Sequence, residues 1–283
     1  MPTHSLLRLT ASIYNKPHLI TPSAFDVILD YLEARNENGL VDPVISTVVS
    51  DRNYAKEKSH NNGIGILKVD GSLTYKPVVT MCGEVGTSYT SLVQQVEEMA
   101  DAGVKTIVME VTSGGGEASH CFQAADEIRD ICDEGGIKLV GYADTMACSG
   151  AYALISVCDE VIANPSASIG SIGVVVALMD TSKALEKAGL RRIFITAGAS
   201  KVPFAEDGTF KQEFLNEIQA DVDRLNIEFA TFVSKHTGLS VETVLSLEAK
   251  VFNAEEAVEL GLANKIMTNK QFAAYVATLH KGM

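Results

Sequence analysis

No stretch of this sequence is apolar for long enough to cross a bilayer. The longest apolar run, Ile172 to Met179, is broken by Gly173 and falls far short of the roughly 20 residues a spanning helix needs. The first residues, MPTHSLLRLTASIYNKPHLI, lack a continuous apolar stretch followed by a small-residue cleavage site, so no secretory leader or membrane anchor is expected. Cysteine is sparse and unpatterned. Cys82, Cys121, Cys132, Cys148 and Cys158 form no CxxC pair, which predicts reduced thiols in a cytoplasmic protein and no zinc or other metal site. Basic residues are outnumbered, 23 Lys and Arg against 36 Asp and Glu, for a net charge of −13 at pH 7. Such a body repels nucleic acid and anionic membranes, so neither is expected as a partner. Histidine is missing where a catalytic base would be useful. None of the six lies between His120 and His236, so a Ser-His-Asp triad has no obvious member. His120 reads as packed or exposed on a helix, and His236 as a favourable cation at a helix end.

What is present is ordinary globular material. Hydrophobic residues make up 46% and charged residues 21% of 283 residues, which excludes wholesale disorder and suits one large domain, or one domain with an arm. Residues 1–60 hold Pro2, Pro17, Pro22 and Pro43, one helix predicted over 23–35, and a polar linker over 50–63. They are expected to form an arm that packs on a neighbour or on the core. From Ile64 the pattern becomes strand, helix, strand. Strands are predicted at GILKVDG, KTIVMEVTS, IKLVGYA, DEVIA, VVVAL and RRIFIT. Helices are predicted over 88–102 and 118–133, at ACSGAYALIS and at SKALEKAG. This alternation implies a largely parallel sheet with helices outside it. A long helix over 212–236 shows Phe214, Ile218, Val222, Leu225, Phe229 and Phe232 on one face, and short helices follow near 240–248 and 254–260. The main domain is expected to span 61–268, with 269–283 as a tail.

Three small-residue segments sit next to strands, where α/β folds place their sites. Thr112-Ser113-Gly114-Gly115-Gly116 ends a strand and precedes a helix. It is either a tight turn or a loop whose amides meet an anion or a developing oxyanion. No Gly-Lys-Ser/Thr follows, so it is not a Walker loop. Ala147-Cys148-Ser149-Gly150-Ala151 places Ser149 at a helix start. Ser149 is either a plain N-cap or a nucleophile with the Gly150 N–H as oxyanion donor, and Cys148 is its rival. Gly170-Ser171-Ile172-Gly173 and Gly198-Ala199-Ser200-Lys201 form the third group. Most lysines are solvated surface groups. A lysine buried among small and apolar residues, brought from ~10.4 to ~7–8 at a cost of roughly 3–4 kcal/mol, would serve as a general base. The Ser171 hydroxyl could hold its nitrogen.

Taken together these segments resemble the signal peptide peptidase A family, serine–lysine proteases of the Clp/crotonase fold, over about residues 62–268. The family's Asn/Asp-Ser-Pro-Gly-Gly loop corresponds to 112–116, its Ala-x-Ser-Gly/Ala motif to Ala147-Cys148-Ser149-Gly150, and its Gly-x-x-Lys to Gly198–Lys201; Gly-Ser-Ile-Gly-Val stands unchanged at Gly170–Val174. TGLSVETVLSLEAKVFNAEEAVELGLANKI resembles the helical end of that domain. The resemblance implies stacked ββα units with a mostly parallel sheet plus an N-terminal arm, and no cofactor. It implies Ser149 as nucleophile, Lys201 as base, Ser171 as the partner that orients the lysine, and an oxyanion hole of the Gly116 and Gly150 amides. Gly114 departs from the family's usual proline, so a more flexible loop is expected. PHLITPSAFDVILDYLEAR resembles the phage branch, capsid (prohead) maturation proteases. This implies scaffold and capsid protein segments as substrates, a place in the host cytoplasm inside the procapsid, and a homo-oligomer. Any scaffold extension is expected on a separate chain, unless the gene product has been shortened. The alternatives are a signal-peptide-degrading peptidase of bacterial type, an inactive internal scaffold, and a crotonase-type acyl-CoA enzyme.

Overall fold

A computed structural model describes residues 13–14, 16–38, 60–61, 63–80, 83–205 and 207–279. The first twelve residues, most of the expected linker and Cys82 lie outside the described residues, as do the last four residues of the expected tail.

In chain order the principal elements are β1 (Pro17–Ile20), α1 (Pro22–Asn38), β2 (Ile64–Asp70), β3 (Leu73–Thr74), β4 (Thr87–Ser88), α2 (Tyr89–Asp101), β5 (Thr106–Ser113), β6 (Gly115–Glu117) and α3 (Cys121–Gly135). They continue with β7 (Lys138–Cys148), α4 (Gly150–Ser156), β8 (Glu160–Ala163), β9 (Ser168–Gly170), β10 (Val175–Val176) and α5 (Ser182–Lys187). The chain ends with α6 (Gln212–Thr237), α7 (Val241–Ser246), β11 (Val251–Phe252), α8 (Ala254–Glu259), β12 (Lys265–Ile266) and α9 (Asn269–Leu279).

The architecture is mixed α/β with a mostly parallel main sheet, in line with the expected Clp/crotonase-like class. β2, β5 and β7 pair in parallel, and β7 then carries β8 on its first half and β9 on its second. β5 reads TIVMEVTS and is buried along nearly its whole length, as a strand covered on both faces must be. α2 covers one face through Leu92, Val96 and Met99, and its start is fixed by Ser88, whose hydroxyl accepts the Ser91 N–H. α3 ends at Gly136, which takes the left-handed conformation that suits glycine (φ 57°).

A second, small sheet lies beside the first, in the order β10-β1-β6-β3-β4. β1 is antiparallel to both of its neighbours, while β6, β3 and β4 run parallel. Residues 17–20 are thus an interior strand, and Ile20 packs with Ile13 and Phe25 of α1 in a small cluster of its own.

Two expectations change. Arg191–Thr196 forms no strand: among the described residues no strand pairs with it, and Ile193 is 78% and Ile195 97% exposed. Residues 269–279, expected within a tail, form α9. Phe272 is buried and stacks on Tyr142 with ring centroids 3.9 Å apart, closing the sheet face formed by Val108, Val140 and Ile162. The apolar face of α9 was too short to register as a pattern without the sheet it covers. Phe272→Ala should therefore destabilise the protein by about 3–5 kcal/mol in urea titration; a change near zero would mean that α9 does not hold this face.

Candidate active site

β7 places the site. Its last residue, Cys148, is in register with Gly170 of β9, and the chain turns sharply at the next residue into α4. Ser149 occupies that turn with φ 56° and ψ −121°. A non-glycine residue in such a conformation costs about 1–3 kcal/mol and persists only where its surroundings hold it. Three backbone bonds do so. The Ser149 N–H donates to the Gly170 carbonyl at 2.8 Å, and the Ser149 carbonyl accepts from Tyr152 and Ala153 at 2.9 and 3.1 Å. The Ser149 side chain is fully buried, yet its Oγ has no hydrogen-bond partner among the described residues. Leaving a buried hydroxyl unpaired costs roughly 1–3 kcal/mol. A serine at the apex of a strand–turn–helix is the arrangement by which a hydroxyl is presented to a substrate carbonyl.

Cys148, the rival, is differently placed. It is buried within the strand, its Sγ donates to the Ser168 carbonyl at 3.4 Å, and burial pushes its thiol up to about 12. At neutral pH it is a protonated thiol, and among the described residues its hydrogen-bond partner is that carbonyl.

The glycine loop lies against this turn. Ser113 Oγ donates to the Gly71 carbonyl at 2.6 Å and accepts the Gly115 N–H at 3.1 Å, which braces the turn from β5 into β6. A β-carbon on Gly115 would fall 2.9 Å from the Gly150 nitrogen, and one on Gly116 would fall 2.0 Å from the Leu73 carbonyl oxygen. Only glycine lets the two backbones approach this closely. Gly150 opens α4, so its N–H has no acceptor within its own helix. Tyr89 Oη lies 3.3 Å from the position of a Gly150 β-carbon and donates to the Glu117 carbonyl at 2.6 Å. Burial pushes the Tyr89 phenol upward, so it stays a neutral donor.

Ser171 is buried at φ 52°, its N–H donating to the Lys250 carbonyl at 2.8 Å. It follows Gly170, whose carbonyl holds Ser149, so the two serines flank one peptide. Lys201 ends a single 3-10 turn, Ala199–Lys201, and is exposed. The structure sets Ser149, Ser171 and Gly150 around one turn, with the glycine loop against Gly150 at Gly115; among the described residues no hydrogen bond or ion pair joins Lys201 to them, and Lys201 is exposed. His120 is exposed, as expected: it stacks on Tyr75 at 3.7 Å and shares a 2.8 Å hydrogen bond with the Ser119 hydroxyl.

The sequence reading missed β1. Leu19 is fully buried, 3.4 Å (at Cβ) from where a Gly150 β-carbon would sit. His18 beside it turns to the opposite side, as alternation along a strand requires, toward Phe25 and the Ile13 carbonyl at 3.0 Å. Burial lowers its pKa and keeps it neutral at pH 7. The available signal was the run His18-Leu19-Ile20 between two prolines, too short to call a strand without its distant partners.

Residues 133–282 match peptidase family S49, over more than half of the chain. The chain belongs to this family. The match contains Ser149, Ser171 and Lys201, and leaves the glycine loop and β1 outside it. Two phage proteins are similar over a longer stretch. "Head-tail preconnector protein GP5" of Enterobacteria phage P21 is 30% identical over 77% of this chain and 43% of its own length. "Capsid assembly protease C" of Escherichia phage lambda is 31% identical over 74% of this chain and 47% of its own. The chain thus spans about half the length of these curated relatives.

The buried thiols give a direct check on which residue at this turn is reactive. Cys121 and Cys148, pushed up to about 12, and Cys132, up to about 11, reach appreciable thiolate only far above pH 8. Iodoacetamide at pH 8 should leave all three unmodified in the folded protein and alkylate them in urea; rapid native labelling of Cys148 would restore it as a nucleophile.

Proposed function

We propose that this chain is a serine endopeptidase in which Ser149 is the nucleophile, Lys201 the base and Ser171 the residue that orients the lysine. The observation that carries the reading is the buried, unpartnered Ser149 hydroxyl on a strained turn, with the Gly150 backbone next in the chain and the glycine loop against it at Gly115. In the reaction, neutral Lys201 accepts the proton of Ser149 Oγ, which bonds to the substrate carbonyl carbon. The charge that develops on the carbonyl oxygen is met by the Gly116 and Gly150 amides. Lys201 returns the proton to the departing amine, and water then releases the acyl group and restores the serine.

Lys201 must be delivered to this serine. It follows Leu190, Ile193, Phe194 and Ile195, all more than half exposed or close to it, on a segment that is open in a single chain. Apolar area of this kind marks an association surface. We therefore read the protein as a homo-oligomer, in which covering residues 190–201 also supplies the dry surroundings a basic lysine needs. The substrates we propose are segments of scaffold and capsid proteins inside the procapsid, on the strength of the phage relatives' names. Among the described residues no helix is long and apolar enough to cross a membrane.

Purified protein should cleave its cognate capsid or scaffold chain, and Ser149→Ala and Lys201→Ala should each lose roughly 10³-fold or more of that rate. Cleavage that survives Ser149→Ala would exclude the mechanism. An equal mixture of the two inactive variants should regain activity if Lys201 serves the serine of another copy, and stay inactive if each chain uses its own. The rate should climb with pH through the mildly alkaline range, because the lysine acts only when unprotonated; a profile flat there would remove Lys201 as the base.

A further inference from the structure

β1 lies where a substrate would. On one side it pairs antiparallel with β6, Leu19 opposite Gly116 and Ile20 opposite Gly115; on the other it pairs antiparallel with β10, Pro17 opposite Val176 and His18 opposite Val175. The Thr21 N–H donates to the Gly114 carbonyl at 2.9 Å, and the Ala118 N–H to the Pro17 carbonyl at 3.4 Å. Bonded pairs alternate along an antiparallel ladder, so these two bonds make Leu19–Gly116, midway between them, a bonded pair. The Gly116 amide therefore points at the Leu19 carbonyl oxygen. That oxygen lies 2.0 Å from where a Gly115 β-carbon would be, and the Gly150 nitrogen lies 2.9 Å from the same point. A backbone carbonyl of this chain thus takes the Gly116 amide that the proposed reaction assigns to the substrate's oxygen, and it lies close beside the Gly150 backbone.

A second observation agrees. Gly114, where the resembling family carries proline, is crossed by the junction of β1 and α1: a β-carbon there would lie 3.0 Å from Thr21 Oγ1 and 3.2 Å from Ala24 Cβ. The loop is bare at the point where the N-terminal segment passes over it.

We infer that Pro17–Ile20 is a built-in occupant of the substrate groove, held between β6 and β10, and that it must leave before another chain can enter. The inference rests on reading Ser149 as the nucleophile. With β1 displaced, β6 and β10 present two unpaired strand edges, which accept an extended peptide through main-chain bonds. The occupant also indicates the substrate class. Leu19, whose carbonyl meets the Gly116 amide, stands on the acyl side and is fully buried against the start of α4, whereas Ile20 on the leaving side is covered by Ile13 and Phe25 of its own segment. The groove takes an extended segment with a leucine-like residue before the cut.

The test uses the full chain and a fluorophosphonate probe of serine nucleophiles, with Ser149→Ala as the blank. Leu19→Asp places a charge in the dry groove and should label at Ser149 roughly tenfold or more faster than the parent protein, since the open form no longer has to be sampled. In the phosphonylated parent protein the probe's oxygen takes the Gly116 amide, so the amides of Leu19 and Thr21 should lose protection from hydrogen exchange. Equal labelling rates in two folded proteins, or β1 amides that stay protected after phosphonylation, would overturn the occupant and leave the nucleophile intact. No labelling of Ser149 in either protein would overturn both readings. If Leu19→Asp fails to fold by circular dichroism, the exchange measurement on the parent protein decides alone.

Discussion

The bond from the Ser149 amide to the Gly170 carbonyl is the constraint on which the site depends. It ties the end of β7 to β9 at the point where the chain must reverse, and it holds a serine in a backbone conformation that serine resists. The parallel ladder of β2, β5 and β7 supplies the rigidity behind it, since β7 cannot slide without breaking pairings on both edges. Gly170 and Ser171 in turn are held by β11 and by the Lys250 carbonyl. Strain at one residue is thus carried by the main sheet and a helix start, and the Ser149 hydroxyl inherits a fixed direction from them.

Much of this was legible in the residues. The strand–helix alternation from Ile64 onward produced the parallel sheet, and the apolar stripe of Leu92, Val96 and Met99 produced the helix over it. Ser149, Ser171 and the glycine loop were found because small residues clustered beside strand ends. Their convergence was legible only through the resemblance, because spacing does not say which side of a turn faces a site. RRIFIT was misread because composition reports that a segment can be a strand and cannot report whether a partner lies alongside it. β1 was missed for the converse reason: four residues carry no periodicity, and their partners stand about a hundred and more positions away. α9 shows the same blindness on a helix, since its apolar face has meaning only against Val108, Val140 and Ile162.

A single chain holds the serine side of the proposed machinery in a finished state and the lysine side in an open one. Ser149 is dry and fixed, whereas Lys201 rides on an exposed apolar segment. The two halves differ in what holds them: the first is bonded within the domain, and the second stands exposed. The N-terminal strand adds a further condition by filling the groove from within the same chain.

Gly115 and Gly116 carry one more consequence. Carbonyl oxygens from two directions crowd the positions their β-carbons would take, so this wall of the groove is pure backbone. A wall without side chains can sense the direction, spacing and straightness of a strand laid against it, and it is blind to that strand's residues. Discrimination among sequences is left to the other surfaces, the valines of β10 and the floor at α4. Mutation can retune preference there while the wall that meets the reacting carbonyl stays unchanged.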